Sequence, residues 1–416
     1  MSSLLISNIK QLVNVRNISQ PLRGKDLSYL PVIYDAYLLI EDGIIAEFGE
    51  MKNLQSKIQN ATSRSEGTTI DASDRFVLPA WCDSHTHLVF AATREEEFLD
   101  KIKGMSYADI AARGGGILNS AKKLNDASED ELFSSAWKRL EEIRQLGTGA
   151  VEIKSGYGLT AEGEVKMLRV IKKLKEKSSL IIKSTFLAHT YPPEYKEDHQ
   201  KYIDLIINQI LPVVAKEKLA DYIDVFCEDG FFSAEETEII CNAGMKHGLK
   251  SKIHANQLNL SGGVQAGVRL GAVSVDHLET MDAEAISTLA NSNTIGTLLP
   301  SAAFFLRMPL QPARQLIDSG CKIALATDYN PGSSPSGNMN LVISMACIGM
   351  KMMPEEAINA ATINGAFAME VNDQAGSIAI GKKANLIITK PISSLAYLPY
   401  SFGANHIEKV MINGEI

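Results

Sequence analysis

Pro79-Ala80-Trp81-Cys82-Asp83-Ser84-His85-Thr86-His87 is the stretch on which the reading of this chain turns. It reads as a β-strand that ends on two histidines. Residues i and i+2 of a strand face the same way, so His85 and His87 project together. Two imidazoles on one strand face can share a metal ion without backbone strain. A lone His-x-His fits a structural or surface pair equally well, so the rest of the chain has to decide.

Outward from that strand, short β-like runs alternate with longer helical patterns. The runs end at His87, Ser155, His189, Glu228, Asn256, His277, Pro300 and Asp328. Between most of them lie segments with apolar residues at three- and four-residue spacing, including 129–146, 161–177, 234–247 and 283–290. Eight strands alternating with helices predict an α/β fold, a (β/α)8 TIM-type barrel. A doubly wound open sheet is the competing arrangement, but no GxGxxG follows the first strand to support dinucleotide binding.

The two ends of the chain read as β structure. Residues 4–6, 11–15 and 36–40 are short apolar or alternating runs, and Glu41-Asp42-Gly43 is a turn leading into a second strand at 44–48. At the other end, Gly376-Ser377-Ile378, 384–389 and 409–412, with Asn413-Gly414 as a turn, behave alike. The expectation is one small β-sandwich built from both ends, giving segments 1–78 and 375–416 around a barrel at 79–374. Two unrelated terminal extensions are the alternative.

A net charge of −8 argues against a broad nucleic-acid surface, yet leaves room for a small anionic substrate gripped by one arginine. The cysteines, Cys82, Cys227, Cys241, Cys321 and Cys347, are odd in number and form no CxxC pair. Neither a disulfide framework nor a thiolate zinc site is indicated, and reduced thiols in the cytoplasm are the simpler expectation. Residues 1–16 lack a signal-peptide core, and no apolar run approaches the length of a membrane span.

Polar and ionisable residues gather at the C-terminal ends of the proposed strands, the end that carries the active site in TIM barrels. The fifth strand supplies His254, the sixth ends at His277 and the eighth at Asp328. Neutral imidazoles with one carboxylate suit a divalent metal, Zn²⁺ or Fe²⁺, with a water completing the shell. His277 alone reads as a hydrogen-bonded core histidine; the constellation at successive strand ends outweighs that. His189 is either a further ligand or, better suited to its place, a substrate contact. His199, His247 and His406 lie in polar or helical contexts and read as surface residues. Gly114-Gly115-Gly116 lacks the Lys-Ser/Thr of a phosphate loop and reads better as a loop covering the substrate. Lys154-Ser155-Gly156-Tyr157-Gly158 and Asp328-Tyr329-Asn330-Pro331-Gly332-Ser333 are either close approaches of backbone to a ligand or ordinary tight turns.

With these motifs in hand, the chain resembles the amidohydrolase superfamily over essentially its whole length, and within it the members that open the ring of 4-imidazolone-5-propanoate. The general likeness lies in the stretch from Pro79 to His87 and in Gly376-Ser377-Ile378 with Gly381-Lys382-Lys383-Ala384-Asn385-Leu386. The specific likeness lies in Phe90-Ala91-Ala92-Thr93-Arg94-Glu95-Glu96-Glu97-Phe98, Arg113-Gly114-Gly115-Gly116-Ile117, Lys154-Ser155-Gly156-Tyr157-Gly158-Leu159 and Ala326-Thr327-Asp328-Tyr329-Asn330-Pro331-Gly332-Ser333. The resemblance implies one divalent metal held by His85, His87, His254 and Asp328. It implies substrate contacts from Arg94, Tyr157, His189, Gln257, Asn330, Gly332 and Ser333, and a homodimer.

Two departures from the superfamily pattern stand out. Asn385 replaces the usual Asp, far from the proposed metal. Gln257 stands where many members carry Glu; an amide cannot shuttle protons. Catalysis would then rest on Asp328 as proton carrier and His277 as oxyanion stabiliser, with Arg94 on the substrate carboxylate. No Lys ends the fourth strand, Val225-Phe226-Cys227-Glu228, where dinuclear relatives carry a carboxylated one, so a single metal is expected. A guanine or cytosine deaminase is the nearest alternative, and a non-catalytic small-molecule binding protein is the alternative of another class.

Overall fold

A computed structural model of the chain describes residues 3–54, 68–105 and 115–416. Arg113 and Gly114, part of the glycine-rich loop expected to cover substrate, lie outside the described residues.

Both ends of the chain enter one mixed sheet. Its strands are β1 (Ser3–Val13), β2 (Val32–Glu41), β3 (Ile44–Glu50), β4 (Thr68–Asp71) and β5 (Phe76–Pro79), joined by β14 (Leu386–Thr389) and β15 (Ile407–Met411). The order is β15-β14-β5-β1-β2-β3, with β4 also pairing β1. The hairpin turn at Glu41-Asp42-Gly43 falls where expected. The two runs read at 4–6 and 11–15 are one strand, β1, whose register shifts between Ile6 and Ile9. Asn8 takes a left-handed φ of 54° there, and that break is what split the sequence pattern in two. Ile6, Leu38, Val77, Leu386 and Met411, from both ends of the chain, bury into one apolar cluster. The closing segment is tied down by Asn385, whose side chain accepts from the backbone of Asn413 and whose carbonyl accepts from Ala80.

The remaining strands form an eight-stranded parallel sheet. They are β6 (Trp81–Thr86), β7 (Thr148–Lys154), β8 (Ile181–Ala188), β9 (Tyr222–Cys227), β10 (Lys250–Ala255), β11 (Ser274–His277), β12 (Ile295–Leu298) and β13 (Ile323–Leu325), paired in sequence order. Most are buried along their whole length, as parallel strands covered on both faces must be. Helices Glu129–Gln145, Ala161–Lys177, Ala234–Lys246 and Ala283–Ala290 cover them, close to the spans read from apolar periodicity. Ser128 with Glu131 and Ser233 with Glu236 form capping boxes that start two of these helices by satisfying free backbone N–H groups.

Between β13 and β6 the sheet closes through a few specific bonds rather than a regular ladder. Asp328 N donates to His85 O at 3.0 Å and His87 N to Tyr329 O at 2.9 Å. The Asp83 carboxylate accepts from Thr327 N at 3.0 Å and from Thr327 Oγ1 at 2.7 Å. The barrel is thus sealed at its C-terminal rim by the residues that flank the histidine motif.

Candidate active site

Five residues predicted from sequence converge at that rim. His85, His87, His254, His277 and Asp328 are each no more than 3% exposed. His85 Nε2 and His87 Nε2 lie 3.3 Å apart, and each lies close to Asp328 Oδ1, at 3.5 and 3.4 Å. His254 and His277 each bring a ring nitrogen within 4.8 Å of His85.

The orientation of the rings is set by groups behind them. His85 Nδ1 meets Asp276 Oδ2 at 2.7 Å, and His254 Nδ1 meets Asp224 Oδ2 at 3.0 Å. A carboxylate so placed accepts a hydrogen bond from Nδ1–H, which keeps the proton on that nitrogen and leaves the Nε2 lone pair aimed into the site. Burial, reinforced by the Lys154 charge, holds His85 well below the usual imidazole range, and burial lowers His254 as well. Both shifts favour the neutral ring, the form in which an imidazole binds a metal.

Lone pairs from two imidazoles facing a carboxylate at these separations repel unless a cation sits between them. Bonds of about 2.0–2.1 Å at tetrahedral angles separate ligand atoms by about 3.3–3.4 Å, which matches His85, His87 and Asp328. The donor set fits a divalent metal.

Asp328 is fully buried, which raises a carboxyl pKa. The surrounding His87, His85 and His277 outweigh burial and hold it below the usual carboxylate range. His277 is moved the other way: against its burial, Glu279 lifts it above the usual range from 3.5 Å away. His277, Asn256 and Asp328 all have left-handed backbone, with φ of 86°, 54° and 54°. Such conformations cost about 1–3 kcal/mol each in non-glycine residues and concentrate at functional sites.

The expected substrate contacts ring this cluster. Tyr157 packs edge-on against His87 at 5.8 Å between ring centroids, and against His189 at 5.7 Å. His189 also stacks with His87 at 6.3 Å, and its Nδ1 is buried without a partner. Arg94 donates from Nε to Ser120 Oγ at 2.8 Å, and its charge acts on both Tyr157 and His189. Its guanidinium lies against Gly332, where a Cβ would stand 2.8 Å from Nη1. Gln257 is buried at the end of the strand-five motif, and Ser333 Oγ lies 3.3 Å from Asp328 Oδ2. Asn330 is held differently from a free contact group. Its amide donates to Asp328 O and Ser333 Oγ, and its oxygen accepts from Gly332 N and Ser333 N. Its side chain is fully committed to bracing the loop.

Sequence reasoning missed the supports of this ring. Glu164 accepts from Gly156 N, Gly158 N and Leu159 N at 2.7–2.9 Å, fixing the loop that carries Tyr157. Gly156 is needed there, with φ +105° and no room for a Cβ beside Leu187 and His189. Glu228 accepts from Leu258 N and Asn259 N, fixing the loop after Gln257. Beneath the histidines, Glu152, Lys154, Asp224, Lys252 and Asp276 form a buried charge network. The available signal was an ionisable residue two positions before a site residue on the same strand face, as Lys252 stands to His254.

The family model described as the amidohydrolase family matches residues 76–416. An imidazolonepropionase of Flavobacterium johnsoniae is 58% identical over 414 residues, covering 99% of both chains. One of Christiangramia forsetii is 57% identical over 417 residues, covering both chains fully. Among solved structures, E. coli guanine deaminase superposes with a TM-score of 0.71 at 14% identity, over 100% of this chain and 98% of that one. An adenosine deaminase of Xanthomonas campestris with bound zinc gives 0.65 at 17%, over 100% of this chain and 92% of that one. These two likenesses establish the shared fold. The full-length identity and the family match place this chain in the amidohydrolase family, among the imidazolonepropionases.

Proposed function

We propose that this chain hydrolyses the ring C–N bond of 4-imidazolone-5-propanoate, giving N-formimidoyl-L-glutamate, as befits an imidazolonepropionase. The observation that carries this reading is the arginine that lies beside the loop carrying Asp328 of the His/Asp cluster. Arg94 is packed on Gly332, four residues beyond Asp328 in the same loop. A small ring with a propionate arm spans these two ends.

His85, His87, His254 and Asp328 would hold one zinc or iron ion, whose Lewis acidity lowers the pKa of a water and polarises the ring carbonyl. The chain's own residues do the rest. Arg94 pairs with the substrate carboxylate. Tyr157 and His189 wall the ring on the His87 side, and Gln257 orients it as hydrogen-bond donor and acceptor. Asp328, kept ionised, accepts the proton of the attacking water and returns it to the ring nitrogen as the C–N bond breaks. His277, whose Nδ1 faces Glu279 at 3.5 Å, donates to the developing oxyanion. One water is consumed and no ammonia leaves.

Metal-loaded protein given 4-imidazolone-5-propanoate should abolish the imidazolone absorbance with no ammonia formed. Stable absorbance contradicts the reading, and ammonia release would assign a deaminase instead. We place the reaction in the cytoplasm, in keeping with five cysteines that are all free thiols.

A further inference from the structure

The mechanism leaves two fully buried cations unused, Lys154 and Lys252. Lys154 projects from β7 into the barrel beneath the histidines, with no exposed surface. Its Nζ lies 2.7 Å from Glu152 Oε1, 2.7 Å from Asp224 Oδ2 and 3.5 Å from Asp276 Oδ2. The last two are the same oxygens that receive Nδ1 of His254 and of His85. One ammonium therefore touches both carboxylate atoms that orient two of the metal-binding rings. The other oxygens of these carboxylates are held by uncharged donors: Ser274 Oγ donates to Asp276 Oδ1 at 2.6 Å, and His254 N donates to Asp224 Oδ1 at 3.1 Å.

The geometry points to Lys154 as a positioning residue for the metal: it binds the two orienting carboxylates into one unit, so that His85 and His254 present their Nε2 atoms together. Without it, Asp224 and Asp276 lose the ammonium that touches both and are free to turn away from the rings. That releases the Nδ1 bonds that fix the ligands. Partners of this kind typically contribute 10–100-fold to metal affinity. This inference rests on the metal centre proposed above.

Lys252 supplies the internal control. It is equally buried in the same network and pairs with Glu152; its charge reaches Asp276, but no contact joins it to Asp224 or Asp276. A purely structural need for buried charge would make the two lysines equivalent. The experiment titrates metal-stripped wild type, Lys154→Gln and Lys252→Gln with Zn²⁺ against a chromophoric chelator, and records the visible spectrum of each Co²⁺-loaded protein. The expected result is a Zn²⁺ affinity lower by about 10–100-fold in Lys154→Gln, with an altered Co²⁺ spectrum. Lys252→Gln should bind Zn²⁺ and colour Co²⁺ as the wild type does. Unchanged affinity and spectrum in Lys154→Gln would overturn the inference, as would equal losses in both variants tracking their stability. If Lys154→Gln does not fold, the double variant Glu152→Gln/Lys154→Gln removes one carboxylate with the ammonium and is read in the same way. An Asp328→Ala variant binding Zn²⁺ as tightly as wild type would instead sink the metal centre itself, and the inference with it.

Discussion

The backbone N–H of Asp328 donates to the carbonyl oxygen of His85 at 3.0 Å, so the last barrel strand is sealed to the first at two residues of the site. The bond matters because β13 is only three residues long and forms no regular ladder with β6. The same residues close the barrel and bring the ligand cluster together. A side-chain change at Asp328 leaves that backbone bond in place, so chemistry can be separated from folding there.

Asp328→Asn keeps the shape of the side chain and the seal to His85 but removes a charge and a proton acceptor. Turnover should fall by at least about 10²–10⁴-fold, the usual effect of losing one such group. The thermal midpoint of the metal-stripped protein should stay close to that of metal-stripped wild type. Steady-state kinetics and calorimetry check the two halves; near-normal kcat would remove Asp328 from its proposed role.

Gly332→Ala probes the substrate end. The new Cβ would stand 2.8 Å from Arg94 Nη1, the mobile tip of a long side chain, so the guanidinium gives way rather than the backbone. A charge-assisted hydrogen bond contributes about 1.5–3 kcal/mol, so KM should rise roughly tenfold or more while kcat at saturation changes little. An unchanged KM would show that Arg94 does not bind the propionate arm.

All five thiols are predicted to be silent in the native protein. Burial pushes Cys82 and Cys347 up to about 12 and Cys321 up to about 11, and raises Cys227 and Cys241 too. A group with a raised pKa stays protonated until the pH approaches that value, and the thiolate is the reactive form. At pH 8 an aromatic disulfide reagent should react negligibly with folded protein and with five thiols after denaturation. Fast reaction of the native protein, or fewer than five thiols after denaturation, would contradict the placement of these residues.

The barrel was legible from sequence because most strands are short β-like runs stopped by a polar residue at the working rim, as at His87, His277 and Asp328. Those same stop residues are the metal and catalytic candidates, so fold and site were read from one signal. The charge network below them was not legible. Asp276 reaches His85 across 191 residues of sequence and Lys154 reaches Asp224 across 70, and no periodicity encodes such pairs. A lysine inside a strand reads locally as a break in an apolar run; only the closed barrel shows that it faces three carboxylates. Asn330 illustrates the same limit on a smaller scale, since its side chain is spent on its own loop.

The central claim is that one divalent metal in the His85, His87, His254 and Asp328 cluster drives ring opening. It is tested most directly by stripping the protein with a chelator and restoring turnover of 4-imidazolone-5-propanoate by stepwise addition of Zn²⁺ or, without oxygen, Fe²⁺. The account predicts no turnover at the start, a linear rise, and a plateau at one equivalent of metal per chain. Full turnover in the stripped protein, or a plateau at two equivalents, would contradict it.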